Sequence, residues 1–189
     1  MSAPEAGIAL AACPADLVEL VAFRKRDGDL GQLAAGRGLT LPGPGEIVAR
    51  PEGLTLSVRS GRWLLLSRPV APGESANRWA EASHGRCAVV DLSSAMAAFL
   101  LWGPAVGEML ARACRLDLEP GAFPAGRAAA TIMVQVPAIL ARLTPGMLLL
   151  TPATTALHLR EWLADASRPF GLALAADATV SELCGESST

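Results

Sequence analysis

Short apolar runs bounded by glycine, proline and polar residues recur along the chain and predict β-strands. Some alternate with polar positions, as in LTLSVRS, and others are continuous, as at Leu64-Leu65-Leu66. A turn at Ser60 and Gly61 separates two runs and predicts a hairpin. The predicted strands lie in residues 17–24, 54–60, 61–68 and 87–92 of the first half, and in residues 96–103, 128–143, 146–152 and 171–177 of the second.

Apolar residues three and four positions apart predict four helices among these strands. The first covers residues 29–38, with Asp27 or Asp29 as its cap and Gly36 and Gly38 at its end. The others are residues 73–85, with Trp79 on the apolar face; a helix that begins at Pro104, with Val106, Met109, Leu110 and Ala113 at helical spacing; and residues 154–166, with Leu157, Trp162 and Leu163 inward.

Both halves show one order, which is strand, helix, strand, strand, helix, strand. Residues 64–66 correspond to residues 148–150, and Trp79 corresponds to Trp162. The pattern predicts an α+β fold of two split βαβ, ferredoxin-like halves packed together. The predicted division is a flexible segment (1–14), one globular domain (15–175) with pseudo-repeats at about 15–93 and 94–175, and a flexible tail (176–189).

Composition narrows the choice of partners. Hydrophobic residues make up 51% of the 189, and the mean hydropathy is +0.37, which predicts an apolar surface kept for a protein partner. No uninterrupted apolar run approaches the roughly 18 residues that a membrane span needs. The net charge is −2, tyrosine is absent, and the basic run 24–26 is followed at once by Asp27 and Asp29. Nucleic-acid and membrane partners are therefore not expected.

The cysteines predict a reducing compartment. Cys13, Cys87, Cys114 and Cys184 form no CxxC pair, as expected of isolated thiols. The first residues lack a positively charged stretch of the kind that begins a signal peptide. The expected location is the cytoplasm.

Motifs for cofactors and metals are not recovered. The glycines of Gly36-Arg37-Gly38 lack the third glycine of a dinucleotide fingerprint, and residues 43–45 place a proline between two glycines. His84 and His158 fall in different predicted helices, so they do not have the spacing of metal ligands. We therefore predict no cofactor-binding and no metal residue in this chain.

Catalytic constellations are not recovered either. Ser83 and His84 are adjacent, which rarely aims two side chains at each other, and both are expected near a solvated helix end. Cys114 is expected to be an inert thiol on the apolar side of a helix. Two carboxylate pairs are assigned to the solvated surface, namely Asp117 with Glu119 and Glu182 with Glu186. The four indoles are assigned to the core, namely Trp63, Trp79, Trp102 and Trp162. We therefore predict no catalytic residue.

The segment Asp91-Leu92-Ser93-Ser94 allows two interpretations. It follows a predicted strand, CAVVDL, and precedes the next, as a catalytic turn or a simple joint between the halves would. Aspartate and serine side chains bond nearby backbone amides in turns, and this favours the joint.

Several segments along the chain together indicate a known family. The most specific are CRLDL at 114–118 and FPAGR at 123–127, supported by residues 39–42, 61–66, 102–105 and 148–152. With these segments, nearly the whole chain resembles the gamma subunit of heterotetrameric sarcosine oxidase. That subunit is itself similar to the folate-binding domain of the glycine-cleavage T-protein. Residues 91–94 match the Asp-x-Ser-His segment of the T-protein, with Ser94 in place of the histidine.

The resemblance implies an oxidoreductase complex that converts sarcosine to glycine. It implies that the alpha and beta subunits carry the flavin, nicotinamide and folate sites, that the delta subunit carries zinc, and that this chain holds no cofactor and has a structural role. Two alternatives stay open. One is a subunit of a related N-methyl amino-acid dehydrogenase, and the other is a stand-alone folate-binding, aminomethyltransferase-like protein.

Overall fold

The computed structural model describes residues 7–23, 27–50 and 52–179, which form eleven strands and four α-helices. Single 3₁₀ turns at Ala153–Thr155 and Arg168–Phe170 flank the last helix. The helices are α1 (Asp27–Ala35), α2 (Glu74–Ser83), α3 (Val106–Ala111) and α4 (Ala156–Ser167). The strands are β1 (Ile8–Ala12), β2 (Asp16–Ala22), β3 (Glu46–Arg50), β4 (Gly53–Arg59), β5 (Arg62–Ser67), β6 (Cys87–Asp91), β7 (Met96–Trp102), β8 (Ala128–Met133), β9 (Val136–Leu143), β10 (Gly146–Pro152) and β11 (Leu172–Leu174).

Two sheets share one strand order. The first sheet is β3-β4-β5-β2-β6, and the second is β8-β9-β10-β7-β1-β11. Without β1 the second order repeats the first strand for strand, and each half runs strand, helix, three strands, helix, strand. All neighbouring strands are antiparallel except β1 and β11.

The leucine runs at residues 64–66 and 148–150 show how the sheets and helices are layered. In β5, Leu64 and Leu66 enter the core between the two sheets, while Leu65 faces the helices α1 and α2. In β10, Leu148 and Leu150 meet them from the other sheet, and Leu149 lies beneath α3 and α4. A continuous apolar run is expected of a strand buried on both faces. The result is a helix–sheet–sheet–helix arrangement, which confirms the α+β prediction.

Strand β1 lies within residues 1–14, the segment that the sequence predicts to be flexible. Ile8 and Leu10 are buried in the core under α3 and α4, and Ala9 pairs with Trp102 of β7. Alanine and glycine made this segment look loose, but small side chains let it fit between two strands. Beyond β11, the Ala178 amide donates to the Ala12 carbonyl at 2.7 Å, so residue 178 of the predicted tail also packs here. Residues 180–189 lie outside the described part.

Other differences concern single elements. The hairpin of β4 and β5 turns at Gly61 (φ 72°) as predicted, but the sequence did not predict β3, a half-buried edge strand with little alternation. Helix α3 begins two residues after Pro104, because Pro104 precedes its N-cap. Leu157 was predicted inward and is 64% exposed, whereas Leu159 is fully buried.

Within the described residues, none of the helices combines the length and the apolar character that crossing a bilayer needs.

Candidate functional site

The segment between β6 and β7 joins the two halves through backbone-directed side chains. Asp91 Oδ1 accepts from the Ser93 amide at 2.9 Å, and Ser93 Oγ accepts from the Leu17 amide at 3.0 Å. The Leu92 amide donates to the Leu17 carbonyl at 2.8 Å. These bonds confirm that Asp91 and Ser93 satisfy nearby amides, as in a joint.

The electrostatics of Asp91 agree with this role. The hydroxyl of Ser93 and then its backbone amide stabilise the charged carboxylate and hold the pKa of Asp91 below its usual range. Its side chain is exposed, so burial opposes the shift only weakly. A carboxylate that is ionised throughout the neutral range is poorly matched to general acid–base work, which favours a pKa near the working pH.

A cavity of about 420 Å³ opens beside this segment. Its wall includes Asp16, a buried carboxylate, together with Ser94 and the apolar residues Phe99 and Leu150. Asp16 Oδ2 accepts from Ser75 Oγ at 2.7 Å and from the Val70 amide at 3.3 Å. Asp16 therefore ties the start of β2 to the first turn of α2, and the cavity offers mainly apolar surface.

The histidine candidates lie apart. His158 is exposed on α4, and His84 ends α2 in a left-handed conformation (φ 45°). Among the residues that the structure describes, no three His, Cys, Asp or Glu side chains come together as a metal site would require. Ser83 was predicted to lie near a solvated helix end but is buried, and its hydroxyl is satisfied there because it donates to the Ala80 carbonyl at 2.9 Å.

The described cysteine side chains are buried or half-buried. Burial raises the pKa of the Cys87 thiol, and its hydrogen bond with Ser83 only partly offsets this. Cys114 follows α3 instead of lying within it, and its Sγ donates to the Leu110 carbonyl at 3.7 Å. A raised pKa lowers the thiolate fraction, so Cys87 is a poor nucleophile. Cys184 lies outside the described residues.

The carboxylate pairs and the tryptophans considered in the sequence occupy surface and core positions. Asp117 and Glu119 are both exposed, and Asp117 Oδ1 accepts from the Glu119 amide at 3.0 Å. Glu182 and Glu186 lie outside the described residues. The four indoles are half-buried and pack on the cores as predicted: Trp63 of β5 and Trp79 of α2 share one core, Trp102 lies between the sheets, and Trp162 lies on α4.

A second cavity, of about 660 Å³, was not predicted from the sequence. It lies on the helix side of the first sheet, and four arginines line it, namely Arg37, Arg50, Arg68 and Arg78. We call it the arginine cleft. These residues are far apart in sequence, and the only hint of them is that every basic residue except Lys25 is arginine.

No protein-family model matches the chain. The chain is 30% identical over 154 residues to the sarcosine oxidase subunit gamma of Arthrobacter sp., which covers 79% of this chain and 76% of that protein. The chain belongs to the sarcosine oxidase gamma-subunit family. This confirms the resemblance carried by segments such as residues 114–118 and 123–127.

Solved structures agree with membership of the gamma-subunit family. A chain of the heterotetrameric sarcosine oxidase from Corynebacterium sp. U-96, in complex with pyrrole 2-carboxylate, superposes with a TM-score of 0.78 and 27% identity, covering 90% of this chain and 89% of that one. The aminomethyltransferase T of the glycine cleavage system from Bartonella henselae gives a TM-score of 0.63 at 15% identity, over 89% of this chain and 48% of that one. The second match shows shared fold alone and confirms the T-protein-like architecture.

Proposed function

We propose that this chain is the gamma subunit of a heterotetrameric sarcosine oxidase, with a structural role in the complex that oxidatively demethylates sarcosine to glycine. The observation that carries the proposal is the superposition on a chain of the Corynebacterium enzyme, which extends over nine-tenths of this chain at a TM-score of 0.78. The named relative from Arthrobacter supports the same role at the level of sequence.

We infer that the chemistry belongs to partner subunits. Alpha, beta and delta chains are the proposed partners, and they would carry the flavin, nicotinamide, folate and zinc. The side chains of this subunit support a structural assignment, because Asp16, Asp91 and Ser93 are bonded to the fold and not aimed at one reacting centre. No step of the reaction is therefore assigned to this subunit. The four cysteines form no CxxC pair in the sequence, which fits a reducing cytoplasm.

The test is co-expression of the four subunits with and without this one. We expect omission to reduce the yield of assembled complex on size-exclusion chromatography, and we expect the assembled complex to form hydrogen peroxide from sarcosine and oxygen. A complex that assembles and turns over equally well without this chain would overturn the proposal.

Two further readings separate the proposal from the alternatives. Preference for another N-methyl amino acid with a dye acceptor in place of oxygen would indicate the dehydrogenase. Heat of binding on titration of the isolated chain with tetrahydrofolate would indicate the folate-binding, aminomethyltransferase-like protein.

A further inference from the structure

The arginine cleft combines an apolar floor with a basic rim. Val18 and Leu65 are buried and form the floor together with the half-buried Trp79. The arginines come from four places around it: the segment after α1, the end of β3, the segment after β5, and α2. The acidic residue in the lining is Glu52, so four positive charges face one negative charge in a chain whose net charge is −2.

Two arginines are held in place by the fold. Arg50 donates to the carbonyl oxygens of Leu54 at 3.2 Å and Leu66 at 3.0 Å, which fixes its guanidinium against the sheet. The guanidinium of Arg37 stands 5.5 Å from the centre of the Trp79 ring, a cation–π distance. Such groups lose little further freedom when they bind an anion, so they are suited to charge-assisted recognition.

The other two arginines differ in their charge partners. Arg78 forms an ion pair with Glu74 one helical turn away. Arg68 is exposed, and among the described residues neither Arg68 nor Arg37 has a carboxylate within 4.0 Å. Within the described part of the chain, the positive charges of Arg37 and Arg68 therefore have no ion-pair partner. An acidic surface approaching it would be attracted and oriented.

We propose that the arginine cleft docks an acidic segment of a partner subunit, whose aspartate and glutamate side chains pair with Arg37 and Arg68. The inference rests on the proposed function, because it requires a partner subunit. Arginines spread over four elements suit several carboxylates along a segment better than one compact anion. Guanidinium groups bind carboxylates in bidentate fashion, which gives the docked segment a defined register.

The test measures the affinity of this full-length chain for its partner subunits. This chain, fluorescently labelled, is titrated with its co-expressed partner subunits as wild type, as the double variant Arg37→Gln/Arg68→Gln, and as Glu52→Gln. We expect the double variant to bind about ten- to a hundredfold more weakly, since each charged hydrogen bond contributes measurably to affinity. The loss shrinks between about 50 mM and about 300 mM salt because screening weakens the wild-type pairs. Glu52→Gln binds more tightly, because it removes the opposing charge.

The matched control is Arg160→Gln, which removes an exposed arginine from α4 in the other half and leaves the dissociation constant unchanged. Equal melting temperatures of all variants exclude unfolding as the cause. Equal affinity of the double variant and the wild type for the partner subunits would overturn the inference. If the double variant had in addition lost binding of free succinate, the cleft would be a small-molecule site, and the inference would be overturned in that case too. Failure of the wild-type chain to join any complex is a separate result and would overturn the proposed function.

Discussion

The backbones of Gly7 and Gly103 are in direct contact. A Cβ atom on Gly103 would lie 2.5 Å from the carbonyl oxygen of Gly7, and Gly103 has φ 125°, which side chains rarely adopt. The same oxygen accepts from the Ala105 amide at 3.1 Å, and the Gly7 amide donates to the Phe170 carbonyl at 3.0 Å. Gly103 therefore lets the start of β1 approach the N-terminus of α3, and Gly7 lets it approach the 3₁₀ turn that follows α4.

Gly103→Ala is expected to destabilise the protein and to loosen β1. Backbone strain of this kind costs about 1–3 kcal/mol, and displacement of β1 adds the loss of its buried pairing with β7. The measurements are urea unfolding and hydrogen exchange, with faster exchange expected for the amides of residues 8–12.

Gly107→Ala is the matched control. Gly107 lies within α3, and a Cβ atom there meets nothing within 4 Å. The exchange of a helical glycine for alanine is expected to stabilise by about 0.5–1 kcal/mol. Equal effects of the two substitutions would contradict the role assigned to Gly103.

Sequence predicts this fold well where burial leaves a pattern. The runs at residues 64–66 and 148–150 are apolar at every position because both faces of β5 and β10 are covered, and this marks them as strands. The sequence predicts helix α2 with Trp79 facing inward, because the polar residues of this segment leave one apolar stripe along the helix.

In other parts of the chain, tertiary contacts and not the local sequence pattern determine the structure. The alanines of β1 have little intrinsic strand preference, and only the space between β7 and β11 makes them a strand. Leu157 follows helical spacing, but it lies in the first turn of α4, outside the packed stripe. The arginine cleft gathers residues from four separated elements, so no local motif could announce it.

Asp91→Ala and Ser93→Ala are expected to affect stability and not turnover. Loss of Ser93 Oγ leaves the Leu17 amide without its acceptor, at a cost of about 1–3 kcal/mol, whereas the exposed Asp91 bond contributes about 1 kcal/mol at most. Urea unfolding ranks the two variants. Sarcosine turnover per assembled complex stays at the wild-type value, and a large loss of turnover with assembly intact would restore the catalytic interpretation.

The contribution of Asp91 is expected to depend on pH in one direction. Its folded-state pKa is lowered, so the stabilisation is fully present above the unfolded pKa of about 3.9 and is lost as the pH falls through the folded value. The difference in unfolding free energy between wild type and Asp91→Ala should be constant near neutral pH and narrow in acid. A gap that widens on acidification would show that the sign is wrong.

Cys87 is expected to resist alkylation in the folded protein. Burial raises its pKa and limits access, so its thiolate is scarce at pH 8. Iodoacetamide labelling followed by peptide mapping should show slow modification of Cys87 in buffer and rapid modification in urea. Cys114, which is only half-buried, is the internal comparison and should label faster in buffer. Rapid labelling of Cys87 without denaturant would mean that β6 opens readily.

Leu157 and Leu159, two residues apart on α4, are expected to respond to truncation to very different extents. Leu159 is fully buried beneath the helix, and Leu159→Ala should lower the unfolding free energy by about 2–5 kcal/mol through lost burial and the cavity that remains. Leu157 is 64% exposed, so Leu157→Ala should stay within about 0.5 kcal/mol of wild type. Urea unfolding of the isolated chain measures both. A large cost at Leu157 with none at Leu159 would mean that α4 is rotated about its axis relative to this structure.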